Sequence, residues 1–167
     1  MRATLLSFLV LGLLVLGSIV QAFSYYAVLP DRVAAHFDAA GQPDGWQSKE
    51  RLLLTHIGLV VGTAFGVIPL VYLGVRFGPA SMIGMPHKEY WLAEPRQRET
   101  RLTLVRYTLW VMNMTLALLD AIMELIYRAN LSEKPHLGSG PWVCLGVFGL
   151  AIGVWLVSFY RRFGKCC

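Results

Sequence analysis

Four apolar runs, each long enough to cross a bilayer, constrain this chain more than any other feature. They cover about residues 5–26, 52–77, 102–128 and 141–161. A spanning helix needs about 20 predominantly apolar residues. In lipid each backbone amide must find its partner inside the segment, so such runs fold as helices. The expected fold is all-α, a polytopic four-helix membrane bundle forming one domain over residues 1–167. Composition agrees, since only 15% of residues are charged, against roughly 25% in a soluble domain. The first run is longer than the ~7–15 apolar residues of a signal peptide. A retained helix is therefore expected, although Val20-Gln21-Ala22 resembles a cleavage site.

The basic residues lie in short segments flanking the runs, so the net charge of +5 reads as a topology signal and not as a nucleic-acid surface. Arg2, Arg76, Lys88, Arg96, Arg98, Arg101, Arg161, Arg162 and Lys165 fall on one side. Arg32, Lys49, Arg51, Arg128 and Lys134 fall on the other. The excess on the first side places both termini and the 78–101 loop in the cytoplasm. The loop between the first two helices then faces outward. The cysteines Cys144, Cys166 and Cys167 imply no disulfide framework.

That outward loop, residues 29–49, has the punctuation of a folded segment. Pro30 fixes φ. Gly41 and Asp44-Gly45 mark two expected turns. Trp46 is an amphipathic ring of the kind found at membrane surfaces. His36, Phe37, Asp38 and Lys49 complete a candidate binding loop for a peptide or protein. On the cytoplasmic side, residues 86–101 offer a second candidate docking surface, with Tyr90 and Trp91 as interfacial anchors. Glu94-Pro95 is suited to open a helix that runs on into the third span.

In the second span Gly58, Gly62 and Gly66 recur at four-residue spacing, which lets another helix backbone approach closely. The expected partner lies inside the bundle, and the alternative is a second copy in a homodimer. Pro69 is expected to kink this span, and His56 to sit near its outer end in contact with water. The third span is unusual. Arg106, Asn113, Asp120 and Glu124 fall within an arc of about 40° at 100° per residue. Charges inside a membrane face the protein interior or water and are paired, so this is read as an inward polar face.

Asp120, Glu124 and His56 belong to the outer half of the bundle, beneath His36, Asp38 and Asp44. Three uses follow for this set. It is a polar plug tying the loop to the bundle, a proton relay or seat for a cationic ligand, or a site for one divalent metal such as zinc built from His36, Asp38, His56, Asp120 and Glu124. The expectation is no cofactor, with the metal site or a hydrolase built on it as the alternative.

The loop motif Leu29-Pro30, His36-Phe37, Gly41, Asp44-Gly45-Trp46 and Ser48-Lys49 resembles the bacterial membrane family called domain of unknown function 1648. Ala35 stands where many members have proline, and Asp38 where they often have asparagine. The resemblance implies a multi-pass protein of the bacterial cytoplasmic (inner) membrane. In longer proteins the module accompanies the helices of toxin-immunity proteins of the SdpI type. It thus implies an accessory, immunity-like or signalling role without enzymatic activity. A subunit of a larger membrane complex is the further alternative.

Overall fold

The computed structural model describes residues 2–165, and Cys166 and Cys167 lie outside them. Four helices are long and apolar enough to cross a membrane. The first is α1 (Arg2–Tyr26). The second is built from α2 (Lys49–Val61), a π-helical turn (Gly62–Val67) and α3 (Ile68–Phe77). After the short α4 (Lys88–Trp91) come α5 (Glu94–Asn130) and α6 (Gly140–Phe163). Leu5, Leu9 and Leu13 on α1 and Val147, Leu150 and Val154 on α6 point outward. Such a surface suits hydrocarbon and not water.

The chain is not wholly helical. Between α1 and α2, β1 (Arg32–Phe37) and β2 (Pro43–Ser48) form an antiparallel hairpin. Only one of the two expected turns is present. Gly41, at φ +79°, turns the chain. Gly45 instead sits within β2 opposite His36, where the ladder is irregular. A Cβ on Gly45 would come within 2.8 Å of the His36 Cβ, so the position needs glycine for close approach and not for φ.

The break expected at Pro69 takes the form of the π-helical turn just before it. Ile68 donates its amide to Thr63, five residues back. A proline offers no amide and its ring crowds the carbonyl four residues earlier. Widening the preceding turn is one way to absorb both effects. Glu94-Pro95 does open α5, which therefore begins well before residue 102 and takes the end of the 78–101 loop into the helix.

Three apolar clusters hold the bundle. At the hairpin end Leu29, Val33 and Leu52 pack on Met123, Ile126 and Tyr127. Ile68, Val105 and Leu109 fill the middle. At the opposite end Ile83, Leu92 and Leu104 meet Phe159 and Phe163. There Trp91 donates its indole N–H to the Phe163 carbonyl and lies edge-on to the Phe163 ring. Arg96 stacks on Tyr90. The two aromatic residues expected to anchor in lipid thus also close the base of the bundle.

The glycines of the second span do not pack inside the bundle. Gly58, Gly62 and Gly66 are exposed, and a Cβ on any of them would meet nothing within 4 Å. The intramolecular partner expected from their spacing is absent because α1 and α5 pack on the face bearing Leu52, His56 and Val60. Gly58→Ala, Gly62→Ala and Gly66→Ala together should therefore leave unfolding of the isolated chain unchanged or raise it, since alanine favours helix over glycine by ~1 kcal/mol per site. Thermal unfolding in detergent checks this.

Candidate functional site

The side chain that hydrogen-bonds the hairpin strand to the bundle is Asn130, at the end of α5. Its Oδ1 accepts from the Ala34 amide at 2.7 Å, and its Nδ2 donates to the Ala34 carbonyl at 2.8 Å. A further bond goes to the Ile126 carbonyl at 2.9 Å. The carboxamide, one acceptor and two donors, thereby acts as a third strand for a single residue. Val33 and Ala34 are fully buried beside it. Asn130-Leu131-Ser132 matches a glycosylation triplet, but the Asn130 nitrogen is buried and bonded, so it is closed to modification.

At the turn, the Gly41 carbonyl accepts from Leu137 of the α5–α6 loop. Lys49 pairs with Asp31 at 3.0 Å and stacks on Tyr26. These contacts fix one side of the hairpin and leave the other free. Arg32, His36, Asp38, Asp44 and Trp46 are exposed. His36 Nδ1 lies 2.5 Å from Asp44 Oδ1. Asp38 Oδ1 accepts from the Gln42 amide inside the turn. Trp46, 46% exposed, carries the Arg32 guanidinium over its ring at 5.7 Å. Pro30 and Phe37 flank this surface, with Phe37 packed against the core below.

Beneath the hairpin lies a second polar group inside the bundle. His56 is 0% exposed, contrary to the expectation of an interfacial histidine in contact with water. It sits in the second turn of α2, on the face turned to α5. Its Nδ1 bonds the Tyr127 hydroxyl at 2.8 Å, and its Nε2 lies 3.7 Å from Asp120 Oδ1. Ser18 bonds the same Asp120 oxygen at 2.6 Å. Glu124 accepts from Gln21 and Tyr25 at 2.7 Å each and from Arg128 at 2.6 Å. Tyr25 stacks on Tyr127 with ring centroids 4.7 Å apart.

The five residues of the metal alternative are therefore not brought together. His36 and Asp38 belong to the exposed side of the hairpin, where the irregular ladder after Ala34 breaks the strand alternation that would otherwise put His36 on the face of Ala34. Glu124 turns to α1 and Arg128. Only His56 and Asp120 face one another, two donors where a structural zinc site uses four. Among the described residues no group of three His, Cys, Asp or Glu converges.

The polar face of the third span is also divided. Asn113 donates to the Ser7 carbonyl of α1 at 2.9 Å, and Asp120 and Glu124 likewise meet α1. Arg106 instead lines a groove shared with α6. Besides His56 and Arg128, the partners of the acids are Ser18, Gln21 and Tyr25 of α1, and not the loop residues Arg32, Lys49 or Arg51. Their signal was in the first run. Ser7, Ser18, Gln21 and Tyr25 are spaced by 11, 3 and 4 residues, an arc of about 60° on one helix.

Four membrane-compatible helices around an internal polar cluster, with a fastened hairpin at one end, define a small multi-pass membrane protein. Residues 13–59, which run from α1 through the hairpin into α2, match the family model described as Domain of unknown function (DUF1648). The resemblance read from the loop motif is the one this match reports. Searches of curated proteins and of solved structures each found no match.

Proposed function

We propose that this chain is a non-enzymatic membrane protein that presents the exposed side of the β1–β2 hairpin to a peptide or protein partner. One observation carries the reading. The hairpin is held on its buried side by Asn130 and Val33, while Trp46, Arg32, His36 and Asp44 are exposed and pair with one another. Tryptophan and arginine are the residues that most often dominate binding energy at interfaces. A rigid mount also lowers the ordering cost that binding incurs. The charge distribution supports a hairpin facing outward from a bacterial inner membrane with both termini inside. The family resemblance supports an immunity-like or signalling role.

A benzophenone amino acid placed at position 46 in membranes should give a discrete cross-linked species, and one at position 150 on the lipid-facing side of α6 should not. Cells lacking the protein should be more sensitive to a secreted peptide toxin, with protection restored by the wild-type chain. Trp46→Ala should weaken that protection at least tenfold, the effect of losing a ~1.4 kcal/mol contact. Full protection by Trp46→Ala combined with Arg32→Ala would refute the reading. A second reading, a subunit of a larger membrane complex or a homodimer, draws on the open face at Gly58, Gly62 and Gly66. Triple alanine substitution would then reduce assembly without reducing the stability of the single chain.

A further inference from the structure

A groove runs along the outer seam between α5 and α6, and its two halves differ in chemistry. The half nearer the basic end has a volume of about 600 Å³ and is lined by Arg106, Tyr107, Trp110, Trp155 and Ser158. The half nearer the hairpin, about 280 Å³, is almost wholly apolar, with Ala117, Ala121, Val147 and Phe148 among its walls. Met114 and Ala151 belong to both, so the halves are continuous. From Arg106 to Ala121 the groove extends about 22 Å along α5, more than half of the ~30 Å hydrocarbon thickness of a bilayer.

Its charge is uncompensated. Arg106 has no hydrogen bond or ion pair among the described residues, whereas Arg101, Arg128 and Arg162 each have a partner. An arginine in a spanning helix normally finds a counter-charge or reaches the interface. Trp110, four residues on and therefore on the same helix face, also has an indole N–H with no acceptor among the described residues. Trp155 by contrast donates to the Tyr107 carbonyl at 2.9 Å. Arg161 is exposed and lies three residues beyond Ser158, one turn further towards the basic end of α6. One guanidinium and the Trp110 indole thus line the polar half, no carboxylate lines it, and a second guanidinium, Arg161, follows one turn beyond Ser158.

We propose that this groove binds one anionic phospholipid. Its phosphate lies between Arg106, Trp110 and Arg161, and one acyl chain lies in the slot beside Ala117 and Val147. Charge complementarity selects the headgroup, and the apolar slot selects a lipid over a free anion.

The full chain, purified in detergent, is tested by native mass spectrometry with phosphatidylglycerol or phosphatidylcholine added. Phosphatidylglycerol should be retained preferentially. Arg106→Gln should reduce its retention roughly fivefold, and Arg106→Gln with Arg161→Gln roughly thirtyfold, following the usual contribution of a basic residue to anionic-lipid binding. Ala117→Phe places a ring in the slot with all charges kept, and should lower retention of the same lipid. Neither side chain is internally bonded, so these variants should unfold like the wild type. Four results would overturn the proposal. These are equal retention of the two lipids, an unchanged preference in the double arginine variant, unchanged retention in Ala117→Phe, and full competition by inorganic phosphate alone. A dimer cross-linked through position 110 in place of lipid would also overturn it, assigning the groove to a second helix.

Discussion

Asn130→Leu is expected to release the hairpin from the bundle while the four helices stay folded. Leucine keeps the branched shape of the side chain, at a larger volume, but removes every hydrogen bond. The Ala34 amide and carbonyl are then left without partners in a buried position. Each such group costs about 1–3 kcal/mol, so the docked state loses roughly 2–6 kcal/mol. An isolated two-stranded hairpin is at best marginally stable in water, so it has little to offset that loss. Hydrogen exchange at Ala34 should accelerate at least thirtyfold, the rate equivalent of ~2 kcal/mol. Trypsin should cut after Arg32 in the variant and spare it in the wild type. Exchange along α6, which touches neither residue, should not change. Asn130→Asp separates the two bonds, because it keeps an acceptor for the Ala34 amide and loses the donor to its carbonyl. It should give an intermediate rate. Wild-type protection at Ala34 in the leucine variant would show that Val33 and Leu29 alone hold the hairpin.

This dependence also explains why the strands were hidden in the sequence. Arg32-Val33-Ala34-Ala35-His36-Phe37 has only a partial alternation, and Pro43 and Gly45 are poor strand residues. Part of what docks the segment is a carboxamide 96 residues away, and no local pattern encodes that. The spans, by contrast, were legible because length and hydropathy are local properties. The polar face of α5 lies between these cases. Its angular spacing puts Asn113, Asp120 and Glu124 on one side, and all three meet α1, but spacing on one helix does not identify the helix opposite. Periodicity also treats a helix as having one neighbour along its length. Here α1 faces the part of α5 nearer the hairpin, and Arg106 meets the seam with α6. His56 was misplaced for a related reason. Depth along a helix was readable, but its orientation towards Tyr127 was not. The glycine stripe shows the converse, a face read from spacing that has no neighbour inside the chain.

Glu124→Leu is expected to destabilise the α1–α5 contact by about 2–4 kcal/mol. The carboxylate accepts from Gln21, Tyr25 and Arg128, and these three donors do not weigh equally. Arg128 is exposed and four residues away on the same helix, so water replaces its lost partner at little cost. Gln21 and Tyr25 lie between α1 and α5, and the unpaired groups account for most of the loss. Glu124→Gln keeps an oxygen for the Tyr25 hydroxyl but turns a second nitrogen towards Gln21, so about half the loss is expected. Denaturant or thermal unfolding in detergent measures both. A double-mutant cycle with Tyr25→Phe should return a coupling of about 1 kcal/mol, because the two substitutions remove one bond. The decisive comparison is Asp120→Asn with Glu124→Gln. A polar cluster that only joins helices tolerates amides with modest loss of stability, and protection of cells should follow the folded fraction. If the double amide folded normally yet abolished protection, the negative charges themselves would be at work. His56 and Asp120, 3.7 Å apart with the histidine fully buried and the aspartate partly exposed, would then be the pair in which to look for a moving proton or a bound cation.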